Sequence, residues 1–213
     1  MWMLAFDTCL DKTYVTLTDG VRFNNKVILS NEKNYHSAYL ISTIVEVLKE
    51  HNLEPKDLDC IAIDIGPGSF TGIRACVTVA RMLAQQLDIK AIGISSLEIL
   101  SKALGKDDLV ALDARKNKAY VYDGKILGAV ELEEVDSIVK NRRLITDNSL
   151  LERFSQYTSD IVSYQKEDFQ LGEILARTAL EKLNLSSKVD ITTHCNAPCK
   201  AYLYLPNTGG GWI

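Results

Sequence analysis

The residues best placed to do chemistry are Ile61-Ala62-Ile63-Asp64-Ile65-Gly66-Pro67-Gly68-Ser69-Phe70-Thr71-Gly72-Ile73-Arg74. They read as a buried strand, a glycine-rich turn and the start of a helix. Phosphate cradles are built in that order, because exposed amides at a helix N-terminus attract anions. A P-loop, however, needs G-x-x-x-x-G-K-[ST], with the Lys on the phosphates and the hydroxyl on the metal. No Lys lies between Gly66 and Gly72, and Ile73 follows Gly72. The dinucleotide fingerprint G-x-G-x-x-G is missed by one residue, and Pro67 stiffens the turn. Two readings remain. Either the amides hold an anion, or the glycines let the backbone turn sharply while Ser69 or Thr71 caps the helix. The second needs fewer parts and is preferred.

Other candidate chemistry is thinner. His194, Cys195 and Cys199 offer three soft donors, but no second Cys or His pair completes a zinc spacing, so a loop with incidental thiols is expected. His36 and His51 are too far apart along one helix to share a metal. There is no G-x-S-x-G elbow for a nucleophile. Cys9, Cys60 and Cys76 lie in apolar contexts, where free Cys packs as a small hydrophobe. No catalytic residue, cofactor-binding residue or metal ligand is assigned, and no cofactor is expected.

Composition narrows the class. The 213 residues carry a formal net charge of -4, with 46% hydrophobic and 24% charged residues, as in an ordinary globular protein. An acidic balance argues against a protein that grips nucleic acid alone, since that affinity comes from Lys and Arg on phosphates. Arg115-Lys116 with Lys118, and Arg142-Arg143, read as solvated turns. No signal peptide pattern or bilayer-length apolar run is present, and a reducing, cytoplasmic setting is expected.

The elements that must position these residues follow a repeated order. Strands are expected at 3–8, 13–18, 22–29, 59–65 and 90–94, with Asp19-Gly20 turning the second into the third. Helices are expected at 36–49, 71–87 and 95–104. The order recurs after Gly105, with strands at 109–113, 119–123, 126–130, 143–146 and 161–163 and helices at 134–140, 149–154 and 169–183. The tail from Asn184 has no clear periodicity and ends in Thr208-Gly209-Gly210-Gly211, read as a mobile terminus. The expected fold is α/β: two tandem ribonuclease-H-like domains of the actin-like ATPase superfamily, residues 1–104 and 105–213, each a mixed sheet flanked by helices. By that analogy Asp7-Thr8 opens a phosphate turn, but Cys9-Leu10-Asp11 replaces its small residues. Asp113-Ala114-Arg115 lacks the expected glycine pair, and the only late glycine run is terminal. An ATP-hydrolysing reading thus loses three parts.

Two helices carry more apolar surface than one buried face requires. In 71–87, Ile73, Cys76, Val77, Ala80, Ala84 and Leu87 form one stripe, and Ala75, Val79, Met82 and Leu83 a second. In 36–49, Leu40, Ile41, Ile44, Val45 and Leu48 form the core stripe, and Leu40, Thr43 and Val47 a weaker second. A protein partner is favoured over mutual packing alone.

Leu4-Ala5-Phe6-Asp7-Thr8, Tyr35-His36-Ser37, Gly66-Pro67-Gly68-Ser69-Phe70-Thr71-Gly72-Ile73-Arg74 and Asp113-Ala114-Arg115 resemble, in order and spacing, the bacterial TsaB (YeaZ) family. The resemblance is good over about residues 3–125; beyond it, Ala201-Tyr202-Leu203 echoes the family's terminal motif. It implies a noncatalytic subunit that assists threonylcarbamoyladenosine formation beside the tRNA anticodon. It also implies docking on the catalytic paralogue TsaD through the first-domain helices, self-pairing there, and a small ATPase, TsaE, in the assembly. Contact with tRNA would come only through the complex, with no membrane involved. The interface residues expected are Leu40, Thr43, Val47, Arg74, Ala75, Thr78, Val79 and Met82. The paralogue's His-x-x-x-His metal motif corresponds here to Ser96 and Leu100, or Ser95 and Ile99. Rival readings are an independent actin-like ATPase or small-molecule kinase using Asp7, Asp113 and the Gly66 turn, a metalloprotease, and a self-associating structural protein.

Overall fold

The structure, a computed structural model, describes residues 1–29, 36–105, 108–186 and 203–204. In chain order the first elements are β1 (Met3–Asp7), β2 (Lys12–Thr18), β3 (Phe23–Leu29), α1 (Leu40–Glu50), β4 (Cys60–Asp64), α2 (Phe70–Leu87) and β5 (Lys90–Ile94). Then come α3 (Ser96–Ser101), β6 (Leu109–Arg115), β7 (Lys118–Tyr122), β8 (Ile126–Glu131), α4 (Leu132–Ile138), β9 (Leu144–Thr146), α5 (Asn148–Phe154), β10 (Ile161–Ser163), α6 (Leu171–Ser186) and β11 (Leu203–Tyr204). Every expected strand and helix is present, with no end shifted by more than four residues; the largest shift is at the helix expected from residue 36, which opens as a 3-10 turn and becomes α1 at Leu40. A short 3-10 turn at Pro55–Asp57 and the strand β11 are additions.

Contacts divide the chain into two units, one running to Ile94 and resuming at Gly172, the other from Ser95 to Leu171. The first sheet has the order β11-β5-β4-β1-β2-β3. β1 pairs antiparallel with β2 and parallel with β4. The register aligns Leu17, Leu4, Ile61 and Ala91 in one row, and Val15, Phe6 and Ile63 in another. Side chains alternate along a strand, so both rows face the same way. There they meet Leu40, Ile44, Val47 and Leu48 of α1 and Cys76, Ala80 and Ala84 of α2 in one core. The opposite face meets α6: a Cβ at Gly172 would lie 2.5 Å from Thr16 Oγ1 and 2.9 Å from Tyr14 Cβ. Covered on both sides, β1 is buried at all five positions, which is why it reads as a continuous apolar run.

The second sheet has the order β10-β9-β6-β7-β8. This matches β5-β4-β1-β2-β3 strand for strand, so the duplicated ribonuclease-H-like, actin-like ATPase architecture read from the sequence stands. Leu109, Ala111, Ala119 and Val121 form its core with Leu132 and Val135 of α4 and Leu150 and Phe154 of α5. The boundary expected after residue 104 differs from the contact grouping at both ends. α3 packs on β6 and β7, and α6 joins the first unit because its apolar side covers that sheet's second face. The loop after β2 is longer than a two-residue turn. Asp19 Oδ1 accepts from the amides of Val21 and Arg22 at 2.9 and 2.8 Å, which holds residues 19–22 out of the ladder.

Candidate functional site

The glycine-rich turn is a packing device. Ser69 caps α2, its Oγ accepting from Gly72 N at 3.3 Å. The Ser69 amide donates to Cys9 O at 2.7 Å, and Thr8 Oγ1 donates to Gly72 O at 2.6 Å. The start of α2 therefore lies directly on the backbone that follows β1. A Cβ at Gly68 would come 2.3 Å from Cys9 O, and one at Gly72 would come 1.8 Å from Thr8 O. Those glycines admit the chain's own carbonyls where a phosphate cradle would leave space for a ligand. Of the two sequence readings, the sharp turn with a Ser69 cap is the one present.

Beneath this turn sits a buried polar cluster. Asp7 Oδ1 accepts from Cys9 N at 2.6 Å, and Asp64 Oδ1 accepts from Gly66 N at 2.7 Å. Asp7 is fully buried. Desolvation, reinforced by Cys76, pushes its carboxyl up to about 7. Cys9 Sγ donates to Asp64 O at 3.3 Å and Cys76 Sγ to Phe6 O at 3.5 Å. Burial raises the Cys9 thiol well above its usual range. A neutral, buried Cys9 thiol is inert as a nucleophile.

The other sequence candidates fall apart as chemical sites. Ser95 caps α3, accepting from Leu97 N at 3.3 Å, and Ser96, Ile99 and Leu100 are buried core. None offers an imidazole. Asp113 spends Oδ1 on Arg115 N at 2.7 Å, and its own amide donates to Asp147 Oδ2 at 2.6 Å. The β6–β7 hairpin turns on Lys116 and Asn117, both at positive φ, as a type I′ turn requires. His51 Nδ1 lies 2.9 Å from Val47 O. His194, Cys195, Cys199 and the Gly209-Gly210-Gly211 tail lie outside the described residues.

The surface of α1 and α2 is more informative. On α2, Phe70, Arg74, Thr78 and Met82 recur every four residues and share one exposed stripe, with the Arg74 guanidinium 5.5 Å from the Phe70 ring centroid. Phe70 is 65% exposed and Met82 48%. Ala75 and Val79 flank the stripe, half-buried. On α1, Leu40, Thr43 and Val47 are core, not surface. Their side chains cannot form an exposed docking face. Ile41 and Val45, assigned to the core stripe from the sequence, are 47% and 43% exposed. Five buried positions, 40, 43, 44, 47 and 48, already fill the arc that α1 presents to β2 and β3, and this arc excludes 41 and 45.

Residues 27–165 match a family model described as TsaD, tRNA N6-adenosine threonylcarbamoyltransferase. Over 154 residues the chain is 34% identical to the tRNA threonylcarbamoyladenosine biosynthesis protein TsaB of Buchnera aphidicola subsp. Schizaphis graminum, a span of 67% of this chain and 70% of that one. The chain belongs to the TsaB family. The TsaB of Bacillus subtilis is 39% identical over 124 residues, 56% of this chain and 53% of that protein. The match thus spans about half of that relative's length. Among solved structures, YeaZ from Pseudomonas aeruginosa superposes with a TM-score of 0.70 at 22% identity, covering 87% of this chain and 93% of that one. The fold is shared. In this TsaB-family chain, Arg74, Thr78 and Met82, expected at a partner interface, are exposed, and Phe70, Ile41 and Val45, which are exposed too, were not among the residues expected there. The four-residue spacing from Phe70 to Met82 was the available signal for Phe70. No helix among the described residues is long and apolar enough to cross a membrane.

Proposed function

We infer that this chain is a noncatalytic scaffold subunit of the complex that transfers a threonylcarbamoyl group to the adenosine beside the tRNA anticodon. It docks through α1 and α2 onto a catalytic paralogue of the TsaD kind, with a TsaE-like ATPase joining the assembly. The same face pairs with a second copy when the paralogue is absent, and tRNA is met only through the complex, in the cytoplasm. The observation that carries this reading is the register of α1. Burying Thr43 while leaving Ile41 and Val45 in water is a poor choice for an isolated domain. It is a good choice for a helix whose flank is covered by another protein. The backbone-filled turn at Gly68 and Gly72, and the absence of imidazole at Ser95, Ser96, Ile99 and Leu100, support a subunit that leaves the chemistry to its partner.

The test is reconstitution of tRNA modification from the paralogue, the ATPase and the enzyme that makes the carbamoyl-adenylate, with and without this chain. Modification should require the chain, and Met82→Glu should weaken pairing about 100-fold, as loss of a buried apolar anchor does, while leaving the melting temperature of the monomer, read at a concentration too low for self-pairing, unchanged. Modification that proceeds equally well without the chain, or ATP turnover by the isolated chain, would overturn the proposal.

A further inference from the structure

We propose that Asp7, Cys9 and Cys76 bind a zinc ion inside the first unit as its three protein ligands. One carboxylate oxygen of Asp7 and the two Sγ atoms lie within 4.8 Å of one another. Ligand atoms around a tetrahedral zinc, at about 2.3 Å for sulfur and about 2.0–2.2 Å for oxygen, sit roughly 3.5–3.8 Å apart. Small side-chain adjustments therefore close the set on one ion. Two thiolates and a carboxylate suit zinc and exclude hard cations such as magnesium and calcium, which take oxygen ligands.

A second observation points to the same ion. Asp7 Oδ2 is buried and has no hydrogen-bond partner, although its sister oxygen accepts from Cys9 N. An orphaned carboxylate oxygen in a core is costly, and a coordinated cation removes that cost. The bonds that the thiols make to carbonyls are long and weak, at 3.3 and 3.5 Å, and a metal can replace them. On binding, each thiol loses its proton to solvent and its sulfur lone pair goes to the metal, as does a lone pair of the ionised Asp7 carboxylate. Zinc uptake therefore releases two protons from the cysteines plus whatever proton Asp7 carries. Because Asp7 ends β1, Cys9 lies in the turn that follows and Cys76 in the body of α2, the ion would tie that helix to the sheet. No zinc spacing is legible along the chain because positions 7, 9 and 76 meet only in the fold.

The full chain, freed of metal, would be titrated with cobalt(II) as a spectroscopic probe and then with zinc. One equivalent of cobalt should give a thiolate-to-cobalt absorption band that zinc bleaches. Cys9→Ser and Cys76→Ser should each weaken binding about 100-fold, and Asp7→Asn, which keeps the side chain's shape, at least about 10-fold. The double variant Cys195→Ser/Cys199→Ser should bind as wild type does. If the serine variants fail to fold, Asp7→Asn and the wild-type titration still decide the matter. No band in the wild-type chain, undiminished binding by Asp7→Asn, or a band lost only in the Cys195/Cys199 variant would each overturn the site.

Discussion

At Gly72 the choice of residue is dictated by a single atom. With Thr8 O 1.8 Å from where a Cβ would stand, Gly72→Ala must push α2 off β1 or break the Thr8 Oγ1 bond. The expected cost is about 3 kcal/mol or more, typical of overpacking against backbone, read by urea unfolding. Thr178 predicts the opposite sign. Its Oγ1 is buried with no hydrogen-bond partner, so Thr178→Val should raise stability by about 1 kcal/mol by removing an uncompensated hydroxyl. A third residue-scale case is an ion pair. Arg142 donates to both Asp123 oxygens, at 2.9 and 2.7 Å, and these bonds hold the Asp123 carboxyl below its ordinary 3.8. A lowered folded-state value means the stability is present above 3.8 and is lost as pH falls through the folded-state value. Both side chains are about two-fifths exposed, so solvent screening limits the contribution to about 0.5 kcal/mol. Arg142→Ala should lose that much at pH 7, and the gap to wild type should close on acidification.

Element by element, the sequence was legible where one local rule decides the outcome. The Ser69 cap, Gly20 and Gly124 at positive φ, and the continuous apolar run of β1 are such cases. It was less legible where two local rules conflict. Along α1, hydropathy favours burying Ile41 and Val45 over Thr43, and only the seat of the helix on β2 and β3 settles the rotation. A pair of substitutions separates the two faces. Val45→Glu should change stability by no more than about 0.5 kcal/mol, as at other exposed positions. Val47→Glu, two residues on and buried, should cost several times as much, because it places an unpaired carboxylate in the core. Both would be read by chemical denaturation of the isolated chain at a concentration too low for self-pairing. The Asp7, Cys9 and Cys76 cluster was beyond any local rule, since its members converge only when β1 and α2 pack.

On the scale of the whole molecule, chain order and packing order part company at α6. Its amphipathic pattern said that one side is buried but could not say against which sheet. The nearest sheet in sequence is the second, yet Gly172 lies against Tyr14, Thr16 and Asn25, and the Arg177 guanidinium stacks 4.1 Å over the Phe23 ring. The first unit therefore depends on a helix that follows the whole of the second. Leu175, fully buried on α6, tests this dependence. Leu175→Ala should cost about 2–5 kcal/mol through lost burial and the cavity left behind. The loss should not be uniform, because local stability follows the unit whose core is damaged. In native-state hydrogen exchange, protection should fall at the amides of β1, β2, β4 and β5, while those of β6, β7 and β9 keep theirs. If β6, β7 and β9 lost protection instead, α6 would belong with the domain that precedes it in sequence, and the second face of the first sheet would need another cover.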